Sequence, residues 1–323
     1  MKRPHKTLHE LLSAAIDAIV GDRRDQVAVQ LSGGLDSAVI QAIGRFDRLY
    51  CVTFPDVDNM AEAKLAAGHK DVIPVTFTKA EMLDALPEIA RWTEGKGTWS
   101  QVCQWFMNRK IKADGATLVL TGEGADELLF GYARYRIMWW LDQMMADPHL
   151  EAYKSIIDWM VSEPRELMSL MLRRTAPKTY VDRWLEDYVP SGNLTDDIAR
   201  LERRHLLPGL LDMNRAMAQA WGLNCGYPYM DERVVRFSLG LPVECKVNHW
   251  MNKKVLRDLA QDLGMHSSIV YERTKKGLFI PQSWRPEGTP LWSRRWFEKL
   301  MTEAWRDAQG LSEDVSDPPA HSR

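Results

Sequence analysis

Cysteine is scarce: four residues in 323, Cys51, Cys103, Cys225 and Cys245, none in a CxxC spacing. That excludes a disulfide-framed scaffold and gives no zinc or iron–sulfur signature; four thiols in a reducing compartment are expected. No uncharged apolar run of about 18 residues occurs, so no segment reads as a membrane span. The amino terminus, Met1-Lys2-Arg3-Pro4-His5, leads into an amphipathic stretch without an apolar signal core, and a cytoplasmic location is expected. Charge of one sign is also lacking. With 42 Lys plus Arg against 44 Asp plus Glu, the net charge is −2, so a strongly basic nucleic-acid binder is excluded by composition. Neither a Walker A lysine loop nor GxGxxG is present, which argues against a P-loop NTPase and a Rossmann dehydrogenase. No internal repeat is seen.

What is present is an ordinary globular composition, 45% hydrophobic and 27% charged, in a chain long enough for two domains or one large one. The 13 Trp and 16 Met are numerous and suit a helix-rich core. Thr7-Leu8-His9-Glu10 has the form of a capping box opening a helix that Gly21 ends. Four short apolar runs follow, Val27–Leu31, Leu49–Phe54, Val72–Phe77 and Thr117–Thr121, with helical stretches between them. This alternation predicts an α/β fold, a parallel sheet covered by helices. The loops at Ser32, Phe54 and Gly122 then share the carboxyl ends of the strands, where such sheets bind ligands. From Tyr132 onward the pattern is helical, over 135–147, 149–173, 178–187, 195–220, 229–239 and 252–263. The expected organisation is an α/β core over 1–135, a mainly helical part over 136–305 and a disordered tail over 306–323, with 226–280 able to pack back on the sheet.

The first chemical signal is Leu31-Ser32-Gly33-Gly34-Leu35-Asp36-Ser37, between a buried strand and a helix. Two glycines let backbone N–H groups approach an anion, two serines add hydroxyl donors, and the helix end adds positive potential. Asp36 inside such a cradle repels phosphate unless it holds Mg²⁺ bridging carboxylate and phosphate.

This loop resembles the pyrophosphate-binding SGGxDS loop of N-type ATP pyrophosphatases, enzymes that cleave ATP between the α- and β-phosphates. A second segment, Leu120-Thr121-Gly122-Glu123-Gly124-Ala125-Asp126-Glu127 followed by Gly131-Tyr132-Ala133-Arg134-Tyr135, resembles the SGEGSDE…GGYxRY segment of asparagine synthetases. Weaker matches are Arg109–Lys112 before the fourth apolar run, Asn214–Asp231, and Arg273-Thr274-Lys275-Lys276-Gly277, similar to the family's RxKxG loop. The resemblance covers roughly residues 5–285. It implies an adenine nucleotide alpha-hydrolase-like (HUP-type) fold that binds ATP and Mg²⁺. It also implies Asp36 and Asp126 as metal ligands, Glu123 facing the acceptor, and Lys275 on the pyrophosphate. Leu31 and Val52 would lie beside the adenine, Ser32, Gly33, Gly34 and Ser37 around the phosphates, and Gly122 beside the nucleotide.

The implied activity is adenylation of a carboxylate, aspartate or a related acid, with release of pyrophosphate. Ammonia or an amine then displaces AMP. Two departures bear on it. About thirty residues precede the phosphate loop, too few for a glutaminase domain, so ammonia, an amine or a separate glutaminase is the expected nitrogen source. The family's E-x-R-x-P-F reads Asn224-Cys225-Gly226-Tyr227-Pro228-Tyr229, which puts aspartate as acceptor in question. The long stretch bearing Trp139, Trp140, Trp159, Arg173, Arg174, Arg203 and Arg204 reads as an enlarged helical subdomain with core Trp and solvated Arg, or as a platform for a larger acceptor. A nucleobase-modifying ATP pyrophosphatase and an inactive nucleotide-binding regulator are the alternatives. A basic stripe would mark the first; loss of Asp36, Glu123, Asp126 and Lys275 would mark the second.

Overall fold

The computed structural model describes residues 3–68, 70–146, 164–173, 176, 178–271, 280–285 and 295–310. Its centre is a five-stranded, wholly parallel sheet in the order β3-β2-β1-β4-β5. The strands are β1 (Val27–Gln30), β2 (Arg48–Val52), β3 (Ile73–Val75), β4 (Leu118–Leu120) and β5 (Asn224–Gly226). The expected α/β class with a parallel sheet under helices is therefore what the chain adopts.

Alternating side chains reach opposite faces of a strand, and here both faces are buried. Val27, Val29, Leu49, Cys51, Leu118 and Leu120 enter one core with α1 (Pro4–Val20), α2 (Leu35–Gly44) and α3 (Met60–Ala67). Ala28, Tyr50, Val52 and Val119 enter the other with α4 (Lys79–Trp92) and α5 (Trp99–Ala113). Both of these last helices open on capping boxes, Thr78 with Glu81 and Thr98 with Gln101. The capping box expected at Thr7 is not the start of α1. The helix begins at Pro4, whose fixed φ suits a first turn, and Arg3 is its N-cap with no side-chain cap. His5 Nε2 lies 3.0 Å from an Asp262 carboxylate oxygen, and Leu8, Leu12 and Ile16 carry the buried face on from there.

The chain runs β1, β2, β3 toward one edge, then returns to place β4 on the other side of β1. The switch point between β1 and β4 is where open α/β sheets leave a crevice. Helices α6 (Ala125–Leu129) and α7 (Ala133–Ala146) follow, then α8 (Pro164–Leu172), α9 (Lys178–Trp184), α10 (Leu194–Leu201) and α11 (Leu207–Gln219). A π-helical turn over Glu202–Leu206 joins the last two. These helices build a third core around Phe130, Tyr135, Met138 and Trp139. Its polar tie is the buried Glu202 carboxylate, which accepts from Tyr135 Oη at 2.5 Å and pairs with Arg134. Trp139 is core, Trp140 is half exposed, and Arg173 and Arg204 are exposed and paired with Asp182 and Asp187. Trp159 and Arg174 lie outside the described residues.

The chain then returns to the sheet with β5, a strand that the helical reading of the second half did not foresee. After it come α12 (Glu232–Gly240), α13 (Val243–Lys246), α14 (Lys254–Asp262), α15 (Ser267–Tyr271) and α16 (Arg295–Gln309). Helix α16 packs on α4 and runs to Gln309, past the expected start of the tail; residues 311–323 lie outside the described residues. Among the described residues no helix is long and apolar enough to cross a membrane.

Candidate functional site

Leu31 leaves β1 still bonded to the ladder, its N–H donating to Tyr50 O at 2.8 Å. The chain then turns through Ser32 and Gly33 to Gly34, the N-cap of α2, which carries no side-chain cap. The first turn of α2, with Asp36 and Ser37, therefore opens on the loop. The serine hydroxyls brace the turn. Ser37 Oγ accepts from Ser32 N at 3.3 Å and donates to Gly34 O at 3.4 Å, and Ser32 Oγ accepts from Gly34 N at 3.3 Å. Ser32, Gly33, Gly34 and Ser37, the four residues expected around the phosphates, thus belong to one turn at the carboxyl end of β1.

The second loop follows β4, the neighbour of β1. Gly122 must be glycine, because a Cβ there would meet Asp36 Cβ at 2.7 Å and Ser37 N at 3.0 Å. This contact locks the two loops together. Glu123 N donates to Thr121 Oγ1 at 3.4 Å. Its carboxylate helps raise the thiol of Cys225 to about 11, a shift due first to burial. Val52 ends β2 on the far side of β1; its carbonyl accepts from Asn59 Nδ2 at 3.0 Å. Leu31 and Val52 side chains are both core, so what they offer the crevice is backbone.

Asp36 and Asp126 converge. Lys253 Nζ lies 2.6 and 2.7 Å from the two oxygens of Asp36 and 2.5 Å from Asp126 Oδ1. The three side chains are only 8, 21 and 12% exposed for Lys253, Asp36 and Asp126, so the ion triad is shielded from water. Burial pushes the Lys253 ammonium down, but the carboxylates of Asp126 and Asp36 outweigh it and its pKa is raised. Tyr229, fully buried, donates from Oη to the Asp36 carbonyl at 3.1 Å. Burial first, then the same two carboxylates, push its phenol up.

Lys253 escaped the sequence reading. A lysine N-capping a helix is opposed by the helix dipole, and with φ 54° and ψ 38° Lys253 is left-handed, unfavourable for a residue with a Cβ. Asn252-Lys253-Lys254 at the start of a helix is the signal that an anion stands opposite. Lys275 lies outside the described residues. The chain beyond that segment is tied to the β2 side, where Asp56 Oδ2 accepts from Gln282 N at 2.8 Å.

The positions that depart from the family pattern lie on β5, where Gly226 O accepts from Thr121 N at 3.2 Å at the start of the second loop. Asn224 is exposed at the start of β5, paired with Leu118. A Cβ on Gly226 would meet Ile19 Cγ2 and Leu120 Cδ2 at 2.6 Å, in the core under α1. Tyr227 turns toward α11, donating from Oη to Leu211 O at 3.0 Å.

Two carboxylates present hard oxygen donors. Magnesium is commonly held by one or two carboxylates, with substrate phosphates and waters completing its shell. The pair, already gathered about one cation beside a phosphate-type loop, fits that ion.

Several known proteins are similar to this chain. Glutamine-hydrolyzing asparagine synthetase 3 of Bacillus subtilis (strain 168) is 26% identical over 305 residues, covering 81% of this chain and 46% of that protein. Glutamine-hydrolyzing asparagine synthetase 1 of the same organism is 23% identical over 344 residues, covering 93% and 54%. A probable glutamine-hydrolyzing asparagine synthetase of Dictyostelium discoideum is 28% identical over 157 residues, covering 41% and 28%. The chain spans about half or less of the length of these relatives. The family profile described as asparagine synthase matches residues 7–317, nearly the whole chain, and the protein belongs to the asparagine synthase family.

Proposed function

We propose that the chain is an ATP-dependent, amide-forming ligase that adenylates a carboxylate, aspartate or a related acid, and then transfers ammonia or an amine to it. The observation that carries this reading is the meeting of Asp36 and Asp126 at one cation position beside the Ser32–Ser37 loop. In this reading ATP lies across the switch point. Backbone at Leu31, Val52 and Gly122 borders the nucleoside, and the N–H groups of Ser32, Gly33 and Gly34 with the first turn of α2 receive the phosphates. Asp36 and Asp126 hold Mg²⁺, which when bound neutralises phosphate charge.

An acceptor carboxylate oxygen bonds to the α-phosphorus, the bond from that phosphorus to the bridging oxygen breaks, and pyrophosphate leaves. Lys275 is assigned to the charge that develops there. The nitrogen nucleophile then bonds to the acyl carbon and AMP leaves with the oxygen. Glu123, on the neighbouring loop, positions the nitrogen or takes its proton. The nitrogen comes from free ammonia, an amine substrate or a separate glutaminase. The protein works in the cytoplasm on a small-molecule or peptide acid, without membrane or nucleic acid.

Product analysis with Mg²⁺–ATP, aspartate and ammonium tests the reading. AMP, pyrophosphate and asparagine together support it in full. AMP and pyrophosphate appearing only with another acid keep the chemistry and change the acceptor. ADP with phosphate overturns it. Asp36→Asn and Lys275→Ala are each expected to lower turnover at least about a hundredfold, and wild-type rates in either would remove the assigned roles.

A further inference from the structure

Two carboxylates that follow adjacent strands repel one another, and in this chain Lys253 sits between them. Its Nζ is 2.5–2.7 Å from three carboxylate oxygens, the ground that a divalent ion bound by both acids would occupy. Ammonium and metal cannot share those oxygens, being like charges in one place. We propose that Lys253 is a built-in counter-ion that holds Asp36 and Asp126 together before nucleotide arrives and then moves its ammonium onto phosphate, so that the metal enters only with nucleotide. The proposal rests on the reading of Asp36 and Asp126 as metal ligands.

The surroundings allow that exchange by side-chain rotation and resist any other. Asn252 Nδ2 donates to Phe130 O at 2.9 Å and Tyr132 O at 2.8 Å, and Asn252 O accepts from Arg257 Nε at 2.7 Å. The backbone beside Lys253 is thereby pinned to the loop between α6 and α7. Gly131 in that loop has no room for a side chain: a Cβ there would overlap Asp126 Oδ1 and Lys253 Cε. The lysine stem thus lies in a slot of fixed backbone with only its own torsions to move. Its buried charge must keep an anionic partner when it leaves the carboxylates. The incoming phosphate supplies one.

Mn²⁺ binding, followed by electron paramagnetic resonance of the free ion, tests this without turnover. Wild-type protein, Lys253→Met, and the double variant Lys253→Met with Asp126→Asn as the blank are titrated with Mn²⁺ alone, then with α,β-methylene ATP. The expected result is no specific site in nucleotide-free wild type and one site when the analogue is added. Lys253→Met should gain a nucleotide-independent site at least about a hundredfold tighter than wild type, absent from the blank. Should Lys253→Met fold poorly, a melting temperature that rises with Mn²⁺ in the variant and not in wild type reports the same gain. Equal nucleotide-free affinity in wild type and Lys253→Met overturns the counter-ion proposal. Failure of every protein to bind Mn²⁺ with the analogue overturns instead the assignment of Asp36 and Asp126 as ligands.

Discussion

Lys246 offers a test of the structure that does not depend on the chemistry. The last residue of α13 is a buried lysine, 3% exposed, with Nζ 4.3 Å from the centroid of the Phe130 ring and donating to Ser238 O at 3.3 Å. Burial pushes its pKa down to about 8; among the charged groups around it, Asp196, Cys245 and Glu244 oppose that fall and Arg203 adds to it. The ordinary lysine value is about 10.4. Below about pH 8 the amine is charged in both folded and unfolded chains, and the fold bears the full cost of the buried charge. Between about 8 and 10.4 the unfolded chain binds more protons than the folded one, so stability rises with pH. Above that window both forms are neutral and the term is constant.

A gap of about 2.4 units at 1.36 kcal/mol each sets the size at about 3 kcal/mol. Attraction between the ammonium and the Phe130 ring favours the charged form by about 1 kcal/mol or more, which leaves about 1–2 kcal/mol to be measured. Urea denaturation of wild type and Lys246→Met, at pH steps from 6.5 to 10.5, isolates the term, because other titrations cancel in the difference. Wild type should gain on the methionine variant by about 1–2 kcal/mol across the window. A difference that stays flat, or that moves against wild type as pH rises, refutes the reasoning.

Two substitutions test the loops. Gly122→Ala drives a Cβ into the backbone of the phosphate loop and should cost about 1–3 kcal/mol of stability with ATP affinity reduced about tenfold or more, read by calorimetry; unchanged binding would deny that the two loops are packed as one unit. Asn252→Ala removes the side-chain donor to Phe130 O and to Tyr132 O, the latter keeping its bond from Tyr135 N, and should cost about 1–2 kcal/mol in urea, whereas a loss under about 0.5 kcal/mol would remove its pinning role.

Strands β1, β2 and β4 were legible because a strand buried on both faces is a bare apolar run, and after β1 and β4 glycines mark where it must stop for a ligand or another loop. Strand β3, with Pro74 exposed, was legible from its apolar neighbours. Strand β5 carries no such mark. Asn224-Cys225-Gly226 has no β-branched residue and pairs because β4 exposes an edge and Gly226 lets Ile19 and Leu120 close over it. Thr7-Leu8-His9-Glu10 has the spacing of a capping box, but Pro4 starts the helix a turn earlier and places all four residues inside it. Lys253 was hidden by distance: it lies 217 positions from Asp36 and beside another lysine, Lys254, which pairs with Asp258 on its own helix. Nothing local tells the two apart except the left-handed backbone, which sequence does not display.

That lysine also explains how the helical part is joined to the sheet. Adjacent strands lie about 4.8 Å apart, so acids placed after β1 and β4 at the switch point come close, and the crevice needs positive charge from elsewhere in the chain. It comes from the start of α14, after the chain has passed through α7 to α11. The same start, through Asn252, holds the entry to α7. From that entry Tyr132 donates to Glu127 at 2.6 Å, and Arg134 and Tyr135 reach the buried Glu202. A backbone shift at Lys253 would therefore have to break Asn252's bonds and disturb the anchor of the whole helical part. Rotation of the lysine side chain breaks neither. Cation exchange at the acid pair is thus separable from the rest of the fold, which lets a site with two repelling acids be assembled once, in the folding of the chain, and refilled with each nucleotide.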